Sequence, residues 1–190
     1  MPADITVCIA HIPIREAKLV RAIDSVLDQI LKPAQIVVEK DTHKTGAGAT
    51  KTRAVKAATT EWVAILDDDD EFLPWHLRDL HAAAIETGAD VVYADPLIPE
   101  REDQRDPNAL PGPFDADELR RRSYIQTTAL VRRELLLDVG GFQMAPGSQY
   151  DDWGAWLAML DAGGSFYHHE DVTWIWHVDG ENTSGLATRW

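Results

Sequence analysis

Four short runs of apolar, mostly β-branched residues constrain this chain more than any other feature. "ITVCIAH" (5–11), "QIVVEK" (35–40), "WVAIL" (62–66) and "DVVYAD" (90–95) have the length of strands and alternate with segments of helical periodicity. Residues 18–30 carry Leu19, Ala22, Ile23, Val26, Leu27 and Ile30 on one predicted helical face, which Pro33 ends. A Gly/Thr loop leads to a predicted helix near 49–59. Pro74 suits a first helical turn, and Leu77, Leu80, Ala84 and Ile85 form a face ending at Gly88. Strands that are apolar almost throughout belong in a parallel sheet covered on both faces. The expectation is one α/β domain.

From Pro96 to Pro113 the pattern gives way to prolines and charges, which predicts a long surface loop. "TTALVR" (127–132) then reads as a strand, 133–139 as a helix, and 151–162 as a helix with Trp153, Trp156, Leu157 and Leu160 inward. "VTWIWHV" (172–178) is a late strand. His168 and His169 are expected at an exposed strand edge, and the seven tryptophans mostly in the core.

The formal net charge is −14. That balance disfavours tight sequence-independent binding to nucleic acid, whose affinity comes from Lys and Arg displacing counterions, and it disfavours an anionic membrane surface. A local basic patch or a metal ion can still bring in an anionic ligand. The only cysteine, Cys8, has no internal disulfide partner, which fits a reducing compartment. The N-terminus lacks the basic start and long apolar stretch of a signal peptide, and no run is long enough to span a bilayer. A cytoplasmic protein is expected.

In open α/β sheets, ligands bind beyond the carboxyl ends of the strands. His11, Glu39–Asp41, Asp67–Asp70 and Asp95 all fall there. The third run is the most telling, because Asp67, Asp68, Asp69, Asp70 and Glu71 follow it without a break. Unit charges ~4 Å apart repel by about 4 kcal/mol at an effective dielectric near 20. Such a run can be a solvated helix start favoured by the dipole. At the mouth of a buried strand it also suits a hard cation such as Mg²⁺ or Mn²⁺, which takes carboxylate oxygens and holds a substrate phosphate. Asp67 and Asp69, two residues apart, are the best-spaced pair. In "HKTGAGATKTRAVK" (43–56), Lys44, Lys51, Arg53 and Lys56 surround Gly46 and Gly48. This is neither a Walker A nor a G-x-G-x-x-G motif, but a small-residue loop opening a basic helix suits a diphosphate. Asp151 and Asp152 open the Trp153/Trp156 helix, where acids also serve as ordinary caps.

"WVAILDDDDEFLP" resembles the D-x-D region of family 2 glycosyltransferases of the GT-A fold, an apolar strand followed by Asp-x-Asp-Asp-x-hydrophobic-x-Pro. Three further stations are similar in the same order. They are the opening strand with a helix carrying Ala-x-x-Ser-x-x-x-Gln, then "GGFQM" followed by "YDDWGAWLAMLDAGG", and last "WIWHVDGENTSG" with its His and Asn-x-Ser. The likeness is to small, free-standing bacterial or phage-type members. It implies a single GT-A nucleotide-diphospho-sugar transferase domain over 1–190, with a mostly parallel central sheet flanked by helices. Residues 1–95 would form the nucleotide-sugar-binding half and 96–190 the acceptor and catalytic half.

The implied activity is inverting transfer of a sugar from a nucleotide-sugar, by default UDP-linked, to an acceptor hydroxyl of a glycan, protein, lipid-linked carrier or modified base. The resemblance makes Asp69 the principal ligand of a divalent Mn²⁺ or Mg²⁺, with Asp67 and His177 completing its site. His11, Glu39, Asp41, Arg53, Asp67 and Asp68 are the donor-binding set, either Glu39 or Asp41 reading the nucleobase. Asp152 would be the catalytic base. Two rivals are a noncatalytic nucleotide-sugar or glycan-binding module of the same fold and a metal-dependent nucleotidyltransferase. The second of these usually carries a Gly-rich signature beside the first strand, and "HIPIREAK" has none.

Overall fold

A computed structural model describes residues 3–99 and 111–178. Most of the expected loop at 96–113 and the Asn-x-Ser of the closing segment lie outside the described residues. Seven strands, β1 (Ala3–His11), β2 (Pro33–Lys40), β3 (Trp62–Asp67), β4 (Glu71–Phe72), β5 (Val91–Leu97), β6 (Ala129–Arg132) and β7 (Phe166–Ile175), make one sheet in the order β2-β1-β3-β6-β5-β7-β4. The helices are α1 (Glu16–Leu27), α2 (Ala47–Ala57), α3 (His76–Thr87), α4 (Ala116–Arg121), α5 (Arg133–Asp138) and α6 (Asp151–Asp161).

Alternation along each strand feeds two cores. Ile5, Val7 and Ile9 of β1 with Trp62, Ala64 and Leu66 of β3 pack beneath α1 and α3. Cys8, Val63 and Ile65 face the other way, onto Ala54 and Val55 of α2, Leu136 of α5, and Ala155, Trp156 and Met159 of α6. Covering both faces is what makes the strands read as unbroken apolar runs. Each fully buried Ile or Leu is worth about 1.5–3 kcal/mol by area.

β1 pairs in parallel with both β2 and β3, and β5 with β7. β6 is antiparallel to both β3 and β5, and β4 is antiparallel to β7, so the sheet is mixed. This has a consequence for the rim. β1, β2, β3, β5 and β7 all end at one edge, and antiparallel β6 begins there, so the residues entering it join the strand ends.

The helix after β1 ends at Leu27, three residues earlier than the apolar spacing predicts. Leu27 and Ile30, expected inward, are 55% and 59% exposed. Buried polar side chains take over at this point. Gln29 Nε2 donates to Ser25 O (3.1 Å) and Leu73 O (2.8 Å), and its Oε1 accepts from the first-turn N–H of Leu77 (3.0 Å). Ser25 Oγ accepts from Phe72 N (3.0 Å). One side chain thus satisfies both a helix C-terminal carbonyl and a helix N-terminal donor, the groups a terminus leaves orphaned. α3 starts two residues after Pro74 and stops at Gly88, which has φ +72°. β7 begins at Phe166, well before the expected 172, and lies inside the sheet. His168 is therefore buried rather than exposed, bonded to Asp95 at 2.8 Å and stacked on Tyr93. Trp62, Trp156 and Trp174 are core residues. No helix among the described residues is long and apolar enough to cross a membrane.

α6 is seated against the 143–145 segment through Gly154, where an added Cβ would lie 1.8 Å from the Gln143 carbonyl oxygen. Gly154→Ala should therefore cost about 3 kcal/mol by overpacking. Urea unfolding of the pair of proteins measures this, with a lower midpoint expected for the variant.

Candidate active site

Asp67 closes β3, and the following turn, with Asp70 N donating to Asp67 O (3.2 Å), delivers the chain into β4. The turn fans the five acids apart. Asp68 points inward. Its Oδ2 is bonded to His11 Nδ1 (2.8 Å) and accepts from Ile12 N (3.0 Å), and its Oδ1 accepts from Arg15 (3.1 Å). Asp70 is buried and accepts from the backbone N–H of His177 (3.0 Å). Burial and the charges of Asp67 and Asp69 hold its carboxyl well above the usual range. Glu71 meets Arg21 (3.0 Å) and His177 Nε2 (2.7 Å).

Asp67 and Asp69 remain on the cavity side. Asp69 Oδ2 lies 2.8 Å from Arg15, but burial and the neighbouring Asp67 and Asp68 charges outweigh that guanidinium. The Asp69 carboxyl is pushed up to about 6. Asp67 lies 3.4 Å from Lys51 Nζ.

Lys51 is the residue that sequence reasoning passed over, grouping it only with the cations of its loop. It is 5% exposed, lies 3.4 Å from Asp67 and 3.5 Å from Asp151, and sits over the Phe142 ring. Desolvation opposes its charge, yet Asp151, Asp67 and Asp152 together hold its pKa above the ordinary lysine value. The available signal was helical spacing, since Lys51 shares a face of α2 with Ala54, Val55 and Ala58. A lysine on that face must find acids inside.

Those acids come partly from α6. Asp151 Oδ1 accepts from Asp152 N (2.9 Å), and Asp152 Oδ1 from Trp153 N (2.7 Å). Desolvation and the Asp151 charge push Asp152 up to about 6 against the pull of Lys51. Gly48 permits the close approach of α2 to α6, because a Cβ there would lie 2.9 Å from Asp151.

Two cavities meet at these residues. The first, of about 550 Å³, is lined by Lys51, Asp67, Asp69, Asp70, Asp151 and Asp152, together with the segment entering β6 and several aromatic side chains. The second, of about 460 Å³, lies over Ile12, Arg15, Gly46, Gly48, Phe142 and Met144. Asp67 and Asp151 border both.

The remaining sequence-predicted residues surround the second cavity or stand apart. His11 is buried, bridging Asp68 and Glu16 (3.1 Å). Asp41 accepts from Thr45 N (2.9 Å), Thr45 Oγ1 (3.0 Å) and Gly46 N (2.9 Å), bonds that hold its carboxyl below the usual range despite its burial. It closes the loop into α2. Arg53 is held by Glu39 (2.8 Å), Thr45 Oγ1 and Thr50 Oγ1. His177, expected with Asp67 and Asp69, has its imidazole on Glu71 instead. Among the described residues no group of three or more His, Cys, Asp or Glu side chains is arranged to hold a metal ion. The Asp67/Asp69 pair nevertheless fits a cation. Both line the same cavity, and burial, with the Asp67 and Asp68 charges added to it, disfavours the lone Asp69 carboxylate in a way that a bound cation would relieve. Ions of the Mg²⁺ class need only one or two carboxylates beside substrate phosphates.

Residues 27–145 match the model of Glycosyl transferase family 2. The chain belongs to that family. Among solved structures, S. aureus TarS 1–349 in complex with UDP-GlcNAc is similar over all of this chain, with a TM-score of 0.75 at 17% identity. TarS 1–349 in complex with UDP matches 94% of the chain at 0.70 and 19% identity. The mannosyltransferase PcManGT from Pyrobaculum calidifontis, in complex with GDP-Man and Mn²⁺, matches 96% at 0.69 and 15% identity. This chain spans 62%, 61% and 59% of those chains respectively. No curated protein matches it in sequence. At these identities the structural likeness speaks for the shared GT-A fold.

Replacing Lys51 by Met would leave Asp67 and Asp151 facing each other without their buried cation. Breaking a buried pair in this way costs about 3–5 kcal/mol. Thermal unfolding near neutral pH should show the loss for Lys51→Met, with Lys51→Arg less affected.

Proposed function

We propose that this family 2 chain is an inverting glycosyltransferase that moves a sugar from a UDP-sugar to an acceptor hydroxyl by direct displacement. The observation that carries the proposal is Asp152. Its carboxyl, pushed up to about 6, lines the same cavity as Asp67 and Asp69. A general base works best when its pKa is near the operating pH, and burial has brought Asp152 toward that range.

The second cavity supplies the donor end. Small residues at Gly46 and Gly48, the opening of α2, and Phe142 and Met144 suit a nucleoside diphosphate, with the N-terminal amides of α2 favouring its charge. Asp67 and Asp69 would hold a divalent ion, which supplies electrostatic stabilisation of the departing diphosphate. The protein's own contributions are separate. Lys51 keeps Asp67 and Asp151 in place between the two cavities, and Asp152 accepts the proton of the acceptor hydroxyl as its oxygen bonds to the anomeric carbon. The sugar–phosphate bond breaks in that same displacement, and no covalent enzyme intermediate is needed. The UDP and UDP-GlcNAc complexes of TarS support the donor class, and the GDP-Man and Mn²⁺ complex of PcManGT supports a divalent ion.

Slow release of UDP from UDP-sugars with Mn²⁺ or Mg²⁺ tests the reading and separates it from a noncatalytic binding module, which releases none. Asp152→Asn should lower turnover by about 10²–10⁴-fold while donor affinity is kept. In the parent protein turnover should rise with pH through about 6, because the base acts only when ionised and its raised pKa keeps the proton on below that point. Asp69→Ala should abolish the part of nucleotide affinity that depends on Mn²⁺, read by calorimetric titration of UDP with and without the ion. For the parent protein that part should also weaken below about 6, since protons compete for Asp69.

A further inference from the structure

Arg15 holds two neighbouring acids of the turn unequally. It is 6% exposed, and its Nη1 donates to Asp68 Oδ1 at 3.1 Å. Asp68 is further secured through its other oxygen by His11 and the Ile12 amide. The same Nη1 stands closer to Asp69 Oδ2, at 2.8 Å, but off the line of a hydrogen bond. That oxygen is shut away from solvent and accepts no hydrogen bond at all. Arg15 therefore meets Asp68 as a charge and a bond, and Asp69 as a charge alone. Charge-assisted bonds are the stronger kind, so the hold on Asp69 is the one that gives way first.

The two acids also look into different spaces. Of the two cavities, Asp69 lines the first, while Arg15 and Asp68 line the second. The guanidinium thus reaches across the turn, from the side of the second cavity to an oxygen of the first. A divalent ion drawn to Asp67 and Asp69 meets it there. Two positive groups within a few ångströms of each other repel strongly away from bulk water, so ion and guanidinium do not share Asp69 Oδ2. The guanidinium has somewhere to go. Its bond to Asp68 serves as a pivot, and the second cavity lies beside it. A diphosphate in that cavity offers oxygens that a planar guanidinium binds two at a time.

We infer that Arg15 is a positioning residue that couples the ion to the donor: it competes with the divalent ion for Asp69, and a diphosphate in the second cavity draws it away. The inference rests on the proposed transferase reading for the nature of the two ligands. Coupling of this kind is reciprocal, so an ion seated on Asp69 leaves the guanidinium ready for the diphosphate. The competition also fixes the sign of a mutation. Loss of a residue that merely braced the turn would weaken ion binding, whereas loss of a competitor strengthens it.

The test follows Mn²⁺ binding to the full chain by the paramagnetic resonance of the free ion, first alone and then with UDP. Arg15→Gln should bind Mn²⁺ alone about tenfold more tightly than the parent, and the gain on adding UDP should shrink by a similar factor, within the ordinary range for two coupled sites. Arg15→Lys, which keeps the charge, should stay near the parent. Circular dichroism establishes that the variants are folded. A crystal structure of the parent with Mn²⁺ and UDP asks the same question without a substitution, and should show the ion on Asp69 with the guanidinium withdrawn from Oδ2. Equal or weaker Mn²⁺ binding by folded Arg15→Gln, an undiminished gain from UDP, or an ion on Asp69 with Arg15 still against Oδ2 would each overturn the inference. Mn²⁺ that binds parent and variant alike removes the coupling and leaves the ion reading intact. Mn²⁺ that binds neither, with UDP or without, removes both.

Discussion

The turn after β3 holds together because positive charge and N–H groups reach its five carboxylates from separate parts of the chain. Lys51 comes from α2, Arg15 and the Ile12 amide from the end of β1, Arg21 from α1, and the His177 amide from the segment beyond β7. Arg15 and the Ile12 amide take Asp68, the His177 amide takes Asp70, and Arg21 takes Glu71. Asp67 and Asp69 face the cavity with a cation beside each, Lys51 and Arg15, and burial with the neighbouring acids still holds the Asp69 carboxyl above its usual value. Sheet order places the strand ends at that edge, and the different anchoring of the acids in the run decides which of them a ligand can meet.

The same economy explains a motif that carries no chemistry. Ser25 and Gln29 of the Ala-x-x-Ser-x-x-x-Gln motif line neither of the two cavities at the rim. They bind Phe72, Leu73 and Leu77, the stretch on which the acid turn lands. Their buried bonds fix the downstream end of the turn while Asp68 fixes its middle on Arg15 and Ile12. The turn is rigid at both points, so the two outward carboxylates are held on an ordered frame, the condition for a preorganised site.

Much of this was legible in the sequence. The four apolar runs are strands, and the glycine at 88 ends its helix, because local periodicity and a left-handed cap need no tertiary information. The acid run announced a rim. The partners of those acids were not legible. Which of five carboxylates turns inward depends on Arg15 and Lys51, and both read as ordinary charges until burial is known. Leu27 and Ile30 misled for a related reason, as apolar spacing cannot show that a glutamine will take the end of the helix. β6 was read as a strand but not as an antiparallel insertion between β3 and β5, a pairing set wholly by long-range packing.

The bond from His177 to Asp70 spans 107 residues, and the short ladder between β4 and β7 spans nearly as many. Until the last described strand arrives, the buried Asp70 lacks the amide that satisfies it, and β4 lacks its ladder partner. Contacts of such sequence separation must repay a large loop-closure entropy before they contribute anything. The early strands can therefore assemble on a ribosome-bound chain, but their acid-bearing edge stays unfinished until the late segment zips onto it. Completion of this edge therefore depends on the late segment, whose His177 amide and β7 ladder are what tie down Asp70 and β4.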